Sequence, residues 1–401
     1  MHHDLGRPGE APDHHKPLPV AALLALAMTG FICIATETLP AGLLPQMAEG
    51  LGVSQSLAGQ SVAAYAIGSL VAAIPLTILT QTWSRRNVLL LTVLGFLAFN
   101  TLTAVSENYW LTLAARFLVG AAAGLAWSLL AGYARRMVEP HQQGRAMALA
   151  MVGTPIALSI GVPLGTWLGT AIGWRMAFGV MSAMTLLLIV WILVAVPNYL
   201  GQKGDSKVSL GRVAAMPGVR AVLSVVLFWM LAHNILYTYI APFASRAGMS
   251  ERVDLVLLTF GVAALVGIWI TGRVIDSALR ASVLIALAAF SLTALVLTIF
   301  GTNPVVLLLA TAVWGVTFGG AATQLQTALA DTAGEGADIA LSMNVVVWNS
   351  AIAGGSILGG VLLDKGGAVT FPPAVLVLAI VAFGIAWAAR NAGFPSGRRR
   401  H

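Results

Sequence analysis

Long apolar stretches separated by short polar loops run through the whole chain. Segments of about 20 mostly apolar residues are long enough to cross a bilayer as a helix. Such segments begin near Pro19, Leu57, Val88, Trp110, Ala146, Met176, Val219, Leu255, Val283, Pro304, Ile339 and Pro373. Continuous apolar runs do not suit the alternating strands of a membrane barrel. The pattern therefore predicts an all-α membrane protein with roughly twelve transmembrane helices.

Polar segments divide this predicted array into two halves. The longest of them, residues 198–217, is rich in Gly, Lys and Ser and predicts a cytoplasmic linker between six-helix bundles at 18–197 and 218–391. A leader at 1–17 and a basic tail at 392–401 are polar, and both are predicted to be disordered in the cytoplasm. The leader histidines could bind a metal, although a solvated tail is the favoured interpretation; they are His2, His3, His14 and His15.

The two predicted bundles repeat each other weakly. Four features recur at offsets between 194 and 202 positions: Gly161–Gly165 as Gly355–Gly359, Gly120 and Gly124 as Gly315 and Gly319, Thr77–Arg86 as Gly272–Arg280, and Pro40 as Pro242. A nearly constant offset predicts two pseudo-symmetric bundles. They share one orientation, as parallel repeats around a substrate site at the midplane do.

Positive charges set the predicted orientation. Of the 22 Lys and Arg residues, 17 fall on the side of both termini and one, Arg116, lies inside a span. The remaining four fall on the opposite side: Arg175, Arg246, Arg252 and Lys365. By the positive-inside rule both termini are cytoplasmic. Because most basic residues lie in loops beside apolar spans, the net charge of +7 reflects topology, and no nucleic-acid partner is predicted.

Composition and motifs exclude several other classes. Charged residues make up 9% of the chain and hydrophobic residues 58%, whereas a soluble domain carries roughly 25% charged residues. Cys33 is the single cysteine, so there is no disulfide, CxxC metal site or redox pair. The sequence contains no GxSxG, HExxH or Walker motif. We therefore predict neither an enzyme nor a cofactor, and the missing ATP motif argues against direct ATP drive.

Glu37 and Arg116 are the two charged residues that lie well inside predicted spans. Intramembrane charges are expensive and usually mark an ion or substrate path. Counted along spans one and four, both lie about 5–8 Å beyond the midplane, away from the termini. Matched depth permits an ion pair. Such a pair either only holds the two spans together or acts as a switch, in which protonation of Glu37 frees Arg116.

Other polar and aromatic residues inside spans have two interpretations each. His233 in span seven could carry protons near neutral pH or be a satisfied core histidine. The amides could bind substrate or bridge helices, and the tryptophans could stack on a lipophilic substrate or pack. The expected cavity residues are Asn234, Tyr237, Trp127, Gln324, Asn344 and Trp348, and further candidates are Gln326, Asn349 and Trp314.

Span five carries a glycine face and two prolines. Gly161, Gly165 and Gly169 are spaced four apart, so a neighbouring helix can approach closely. Pro155 and Pro163 remove helix hydrogen bonds and permit bending. Tight static packing and a pliable contact that opens during transport are both compatible with this pattern.

Several of these segments resemble the major facilitator superfamily, and within it the twelve-span drug:proton antiporters and their sugar-efflux and chloramphenicol-efflux relatives. The resemblance covers about residues 19–389. It is carried by TETLPAGLLPQMAEGLGVSQSLAGQ from Thr36, RFLVGAAAG from Arg116, GVPLGTWLGTAIGWRMAF from Gly161, YTYIAPF from Tyr237 and NVVVWNSAIAGGSILGGVLLDKG from Asn344.

The resemblance implies roles for individual residues. Arg116 matches an arginine linked to proton coupling, and Glu37 matches a first-span acid. The run from Gly153 to Gly165 is similar to the antiporter motif, although Gly161-Val162-Pro163 replaces the usual Gly-Pro pair.

The loop between spans two and three departs from the family form. Thr77 and Gln81 stand at its glycine and aspartate positions, while Arg85 and Arg86 remain. The second copy keeps Gly272, Asp276 and Arg280, which implies that Asp276 provides more of the cytoplasmic latch.

Together these features predict a proton-coupled efflux transporter of a bacterial cytoplasmic (inner) membrane. Two six-helix bundles rock around a cavity that, by resemblance, is lined by spans one, four, seven and ten. Glu37 carries the proton, and the partners are protons, the bilayer and a small organic molecule such as a drug or sugar. A monomer suffices for the fold. Two alternatives stay open: a facilitative or proton-symport importer of sugars or metabolites, and a membrane sensor or scaffold that transports nothing.

Overall fold

A computed structural model of the protein describes residues 17–139, 142–201 and 210–395. Within these ranges the chain forms helices and short turns, without a strand. The predicted leader up to residue 16, the centre of the predicted linker and the end of the tail lie outside the described residues. The metal interpretation of His2, His3, His14 and His15 therefore falls outside them as well.

The first bundle contains six membrane helices. These are α1 (Val20–Gly42), α2 (Gln55–Thr80), α3 (Arg85–Val105), α4 (Tyr109–Arg136), α5 (Gln143–Ile172) and α6 (Trp174–Ala195). Helix α5 is irregular, because a π-helix at Ala157–Gly161 interrupts its α-helical turns. We call the end at which α1 begins the terminal end of the bundle, and the end at which α1 finishes the distal end.

The second bundle also contains six membrane helices. A short helix, Leu210–Ala215, precedes α7 (Pro217–Thr238). One helical segment, Val253–Phe300, supplies both α8 before Ala278 and α9 after it. The last three are α10 (Pro304–Gly319, continued by Ala321–Ala333), α11 (Ala337–Gly366) and α12 (Phe371–Ala388).

The 48-residue segment Val253–Phe300 reverses direction at Ala278, whose φ of −147° and ψ of 38° are not helical. The ring centroids of Phe260 and Phe290 lie 4.7 Å and 6.5 Å from that of Trp314. In a straight helix those two phenylalanines would be about 45 Å apart. The segment therefore crosses the membrane twice, and the 11 apolar helices of the described chain form twelve spans. The predicted all-α, twelve-span architecture is confirmed.

Glycines bring α4 and α2 into backbone contact in the first bundle. A Cβ at Gly120 would overlap the Tyr65 carbonyl, and one at Gly124 would overlap the Ser69 carbonyl. Helices in lipid gain little from the hydrophobic effect, so such close approach stabilises them through van der Waals contact.

The second bundle repeats this contact between α10 and α8. Gly315 packs on the Phe260 carbonyl and Gly319 on the Ala264 carbonyl. Each residue follows its counterpart by 195 positions, as 315 follows 120 and 260 follows 65. The weak repeat in the sequence is therefore a structural repeat.

Helices α1 and α7 are interrupted in the same way at the distal end. Leu43 after α1 has φ −115° and ψ 15°, and Tyr239 after α7 has φ −110° and ψ 31°. A short helix follows each interruption and begins with a proline, Pro45 or Pro242, in its first turns, where a missing N–H is tolerated. Pro242 therefore corresponds to Pro45 and not, as the sequence offsets indicated, to Pro40.

Two glycines of α4 offer a matched test of the packing. We expect Gly120→Ala to lower the thermal midpoint in detergent, because the new methyl group overpacks α2 at a cost of about 1–3 kcal/mol. Gly132→Ala should leave the midpoint unchanged or raise it, since no heavy atom lies within 4 Å of its Cβ position and alanine is the better helix former. Equal shifts in the two variants would contradict the packing.

Candidate functional site

Arg116 lies at the centre of the first bundle with none of its surface exposed. Its Nη2 donates to the backbone carbonyl of Glu37 on α1 (3.3 Å), and its Nε donates to the carbonyl of Ser61 on α2 (3.3 Å). The guanidinium also lies 5.0 Å from the Tyr65 ring centroid and 5.7 Å from that of Phe178. Arg116 therefore connects α4 with α1, α2 and α6.

The Arg116 Nη1 is buried without a hydrogen-bond partner among the described residues. An unpaired donor on a buried cation is unfavourable, and it is the kind of group that a carboxylate or a substrate oxygen satisfies. The Arg116 Nη1 can therefore donate to a carboxylate or a substrate oxygen without giving up another hydrogen bond.

The Glu37 side chain is 9% exposed and faces the contact between the bundles. Its charge lies within electrostatic reach of Arg116 in the first bundle and of Tyr237 in the second. Among the described residues the carboxylate forms no salt bridge, because Arg116 binds the Glu37 backbone instead. The matched depth inferred from the sequence is therefore real, while a direct ion pair is absent from this conformation.

An aromatic cluster adjoins Glu37 on the side of the second bundle. His233 of α7 stacks on Phe318 of α10, with centroids 3.6 Å apart and planes 9° apart. Tyr237, Phe260 and Trp314 surround the same imidazole at centroid distances of 5.2, 5.7 and 5.3 Å. Helices α7, α8 and α10 thus build one aromatic wall beside the bundle interface.

His233 is held by a specific hydrogen bond. The Trp314 Nε1 donates to its Nδ1 at 3.1 Å, so Nδ1 accepts and carries no proton in this arrangement. The histidine therefore acts as a packed, hydrogen-bonded member of the wall in this conformation.

The Tyr237 hydroxyl is buried without a hydrogen-bond partner in the described chain. The Thr38 hydroxyl of α1 faces it just beyond the range of a well-formed hydrogen bond, and this hydroxyl itself donates to the Ile34 carbonyl (2.6 Å). An unsatisfied buried hydroxyl next to an aromatic wall is a natural contact for a polar ligand.

The other predicted cavity residues occupy several environments. Asn234 packs on Gly355 of α11, and Trp127 packs near Gly30 of α1. Trp348 packs against a cluster formed by α2 and α11, which includes Val62 and Ile352.

Two amides lie deeper in the second bundle. Gln324 donates to the Thr271 hydroxyl of α8 at 3.3 Å, and this bond bridges two helices. The Gln324 Oε1 and the Asn344 Oδ1 are both buried without a partner in the described residues.

The predicted glycine face of α5 packs against α1. A Cβ at Gly153 would overlap the Ala27 carbonyl. Gly161 and Gly165 lie against the side chains of Phe31 and Leu39.

The π-helix Ala157–Gly161 lies between Pro155 and Pro163. Pro163 cannot donate to the carbonyl four residues earlier and would clash with it, and a π-turn relieves this conflict. Gly261 of α8 packs directly on the backbone of Leu158 and Ser159 in this segment. The irregular part of α5 is therefore a contact between the two bundles.

At the distal end a tyrosine joins the bundles. The Tyr239 hydroxyl donates to the Ser356 carbonyl of α11 (2.8 Å) and lies 3.2 Å from the Ser56 carbonyl of α2. Ser56 donates in turn to Asp364 of α11 at 2.6 Å. We call Ser56, Tyr239, Ser356 and Asp364 the distal latch.

Glycines create the space for this latch. The Tyr239 ring occupies positions that Cβ atoms of Gly59 on α2 and of Gly359 on α11 would fill. The sequence interpretation missed the latch, although YTYIAPF and the run from Asn344 contain most of it. The missing information was the pairing of Ser56 with Asp364, which are 308 positions apart.

The loop residues expected to gate the terminal end differ between the bundles. Arg280 donates to the Ala386, Trp387 and Phe394 carbonyls beside α12. Arg85 donates to the Gln81 carbonyl at 3.1 Å.

The remaining members of these loops are placed as follows. The Arg86 backbone N–H donates to Asn198 at 3.3 Å. Gly272 and Asp276 lie in the last turns of α8 before the reversal. Their gating roles stay predictions.

The comparison with known proteins identifies the family. The sequence profile of the Major Facilitator Superfamily matches residues 26–356. The chain belongs to this superfamily. It is a multi-pass membrane transporter and not an enzyme, and transporters of this superfamily need no cofactor.

Named relatives and solved structures agree with this assignment. The chain is 31% identical over 351 residues to the purine ribonucleoside efflux pump NepI of Shigella sonnei and to that of Escherichia coli O157:H7, covering 86% of this chain and 88% of each relative. Its fold matches a bacterial homologue of the human lysosomal transporter Spinster, in inward-facing unoccupied and occupied crystal structures. The unoccupied structure has a TM-score of 0.72 at 14% identity and covers 96% of this chain and 99% of its own. The occupied structure has a TM-score of 0.75 at 13% identity and covers 94% of this chain and 98% of its own.

We expect Tyr239→Phe to loosen the distal latch. The change removes the contacts of this hydroxyl with the Ser56 carbonyl (3.2 Å) and with the Gln60 Nε2 (3.5 Å) of the first bundle. At about 0.5 kcal/mol each, their loss should raise the open population at the distal end about fivefold. Spin labels at Glu49 and Lys365 in a Cys33→Ser background would report this as a longer-distance population. Tyr109→Phe is the control, because the Tyr109 hydroxyl binds the Leu57 carbonyl within the first bundle. A latch that does not hold the bundles would give identical distance distributions for both variants.

Proposed function

We propose that this protein exports purine ribonucleosides across a bacterial inner membrane in exchange for protons, by alternating access. The substrate class is taken from the relatives named as purine ribonucleoside efflux pumps, at 31% identity over most of the chain. The observation that carries the proton-coupled mechanism is the Glu37 carboxylate, which is buried between Arg116 of one bundle and Tyr237 of the other.

The Lys and Arg distribution makes the terminal end cytoplasmic. In the described residues the hydrogen bonds between the bundles lie at the distal end. The Tyr239 hydroxyl lies 3.2 Å from the Ser56 carbonyl, Ser56 donates to Asp364, and the Gln60 Nε2 donates to the Tyr239 hydroxyl and the Ser356 carbonyl at 3.5 Å. The conformation is then closed to the outside. Substrate enters from the cytoplasm in this state and leaves after the latch has opened.

Glu37 couples this motion to protons. An ionised carboxylate at this depth attracts Arg116, whose Nη1 is unpaired, whereas a protonated one does not. Glu37 lies against Arg116 of the first bundle and Tyr237 of the second. Its charge therefore changes the relative stability of the conformations in which α1 and α7 are together and apart. Proton entry then provides the driving force, since the membrane potential contributes about 2.3 kcal/mol per charge per 100 mV.

The aromatic wall provides a surface for the base. Purines stack on aromatic side chains with about 1–3 kcal/mol per base. Phe318 is the half-buried ring of this wall, and the buried Trp314 supports it through His233. The Tyr237 hydroxyl, the Gln324 Oε1 and the Asn344 Oδ1 are unsatisfied. Ribose hydroxyls and base N–H groups can satisfy them.

Replacing Glu37 tests proton coupling directly. In proteoliposomes with a pH-sensitive dye inside an acidic lumen, external inosine should release luminal protons through the wild type. Glu37→Gln should abolish this proton release, because an amide cannot carry the proton, while exchange of labelled inosine continues. Glu49→Gln is the control, since Glu49 is an exposed carboxylate shortly after α1.

Two outcomes would contradict the proposal. If Glu37→Gln releases protons as well as Glu49→Gln does, the coupling group lies elsewhere. The second uses vesicles loaded with labelled inosine. If the outward proton gradient drives this inosine out together with the protons, the protein is a symporter and the importer alternative is correct.

Removal of the Tyr237 hydroxyl separates substrate binding from stability. We expect Tyr237→Phe to weaken inosine binding about 3–10-fold and to leave the thermal midpoint unchanged, because this hydroxyl has no partner in the described chain. Tyr65→Phe should do the reverse and lower the midpoint, since the Tyr65 hydroxyl donates to the Cys33 carbonyl at 2.9 Å. Equal loss of stability in both variants would show that the Tyr237 hydroxyl is structural.

A further inference from the structure

A basic cavity lies at the terminal end of the first bundle, apart from the site around Glu37. Its volume is about 150 Å³. It is lined by the ends of α2, α3 and α4 through Thr77, Arg85, Ser128, Gly132, Tyr133 and Arg136. The transport mechanism proposed above does not use it.

The cavity concentrates positive charge. Arg85 and Arg136 lie close enough for their charges to repel each other. Arg86 acts electrostatically on Tyr133, and its Nε is buried without a partner in the described residues. No acidic side chain belongs to the described lining, and Gln81 stands where the family resemblance implies an aspartate. Arg136 also donates from its Nη1 to the Leu200 carbonyl at 3.0 Å, and an anion in the cavity would lie against the charges of both Arg85 and Arg136.

Donors for an anion are present in the cavity. Arg85 uses its Nη2 for the Gln81 carbonyl, and its Nη1 and Nε form no hydrogen bond in the described part of the chain. The Thr77 and Ser128 hydroxyls lie 2.7 Å apart and donate to the Ala73 and Leu125 carbonyls. They make this wall polar, while the arginines supply the donors. Guanidinium groups bind phosphate oxygens through paired N–H donors.

We propose that this cavity binds the phosphate of an anionic phospholipid headgroup. An apolar surface on the same part of α2 favours a lipid over a soluble phosphate. Ile74, Ile78 and Leu79 flank Thr77 and are 48%, 57% and 68% exposed, and Trp83 after the helix is 51% exposed. Acyl chains lie along this surface while the phosphate reaches the arginines. Basic pockets between membrane helices at the cytoplasmic side bind anionic headgroups for the same reason.

The test uses the purified full-length protein in detergent and native mass spectrometry. Dioleoylphosphatidylglycerol should bind at least about tenfold more tightly to the wild type than to Arg85→Gln/Arg136→Gln, because each arginine contributes a charge-assisted hydrogen bond. Arg135→Gln/Arg145→Gln is the charge-matched control: both arginines are exposed, and Arg135 lies at the same end of α4 and binds Gln143. It should bind the lipid like the wild type.

A second variant keeps all the charges. Gly132→Leu fills the cavity from a position with no heavy atom within 4 Å of its Cβ. We expect it to weaken phosphatidylglycerol binding about tenfold as well. This variant tests the proposal even if the double arginine variant does not fold.

Three results would overturn the proposal. The first is phosphatidylglycerol binding unchanged by Gly132→Leu, and the second is dioleoylphosphatidylcholine binding as tightly as phosphatidylglycerol. The third is displacement of phosphatidylglycerol by an equal concentration of inorganic phosphate or glycerol 3-phosphate, which would assign the cavity to a soluble anion.

Discussion

A fully buried arginine in a membrane protein has to be satisfied by the protein itself, and Arg116 sets the arrangement around it. It binds the Glu37 and Ser61 carbonyls and lies against the Tyr65 and Phe178 rings. These contacts position α1, and with it the Glu37 carboxylate, against the second bundle. Because Arg116 binds the backbone of α1, the carboxylate can change its protonation without losing the helix's attachment. This arrangement suits a coupling residue.

Around this fixed point the bundles meet through contacts of different strength. The backbone packing at Gly120 and Gly315 lies inside each bundle. Separating these helices would leave cavities in a close-packed interior, which is unfavourable. Between the bundles, the π-helix of α5 lies against Gly261, α2 packs along α11 around Val62, and the distal latch adds a few hydrogen bonds. The proposed alternating access requires the contacts between the bundles to open while the backbone packing within each bundle is kept.

Much of this architecture follows from the sequence. Span number, the depth of Glu37 and Arg116, the glycine face of α5 and the repeated glycine pairs are local patterns of length and spacing. The rest depends on distant partners. Ser56 pairs with Asp364 across the bundles, Arg116 prefers the Glu37 carbonyl to its carboxylate, and the prolines of α5 produce a π-turn rather than a kink. No spacing rule specifies those choices.

The most direct test of the coupling site is the number of protons released when a nucleoside binds. Inosine titrations by calorimetry, in buffers of different ionisation enthalpy, measure this number. Arg116, Tyr65, Tyr237 and Cys33 are the titratable groups that interact with Glu37. The account predicts release of up to about one proton per inosine in the wild type, and none in Glu37→Gln. Equal release by both proteins would contradict it.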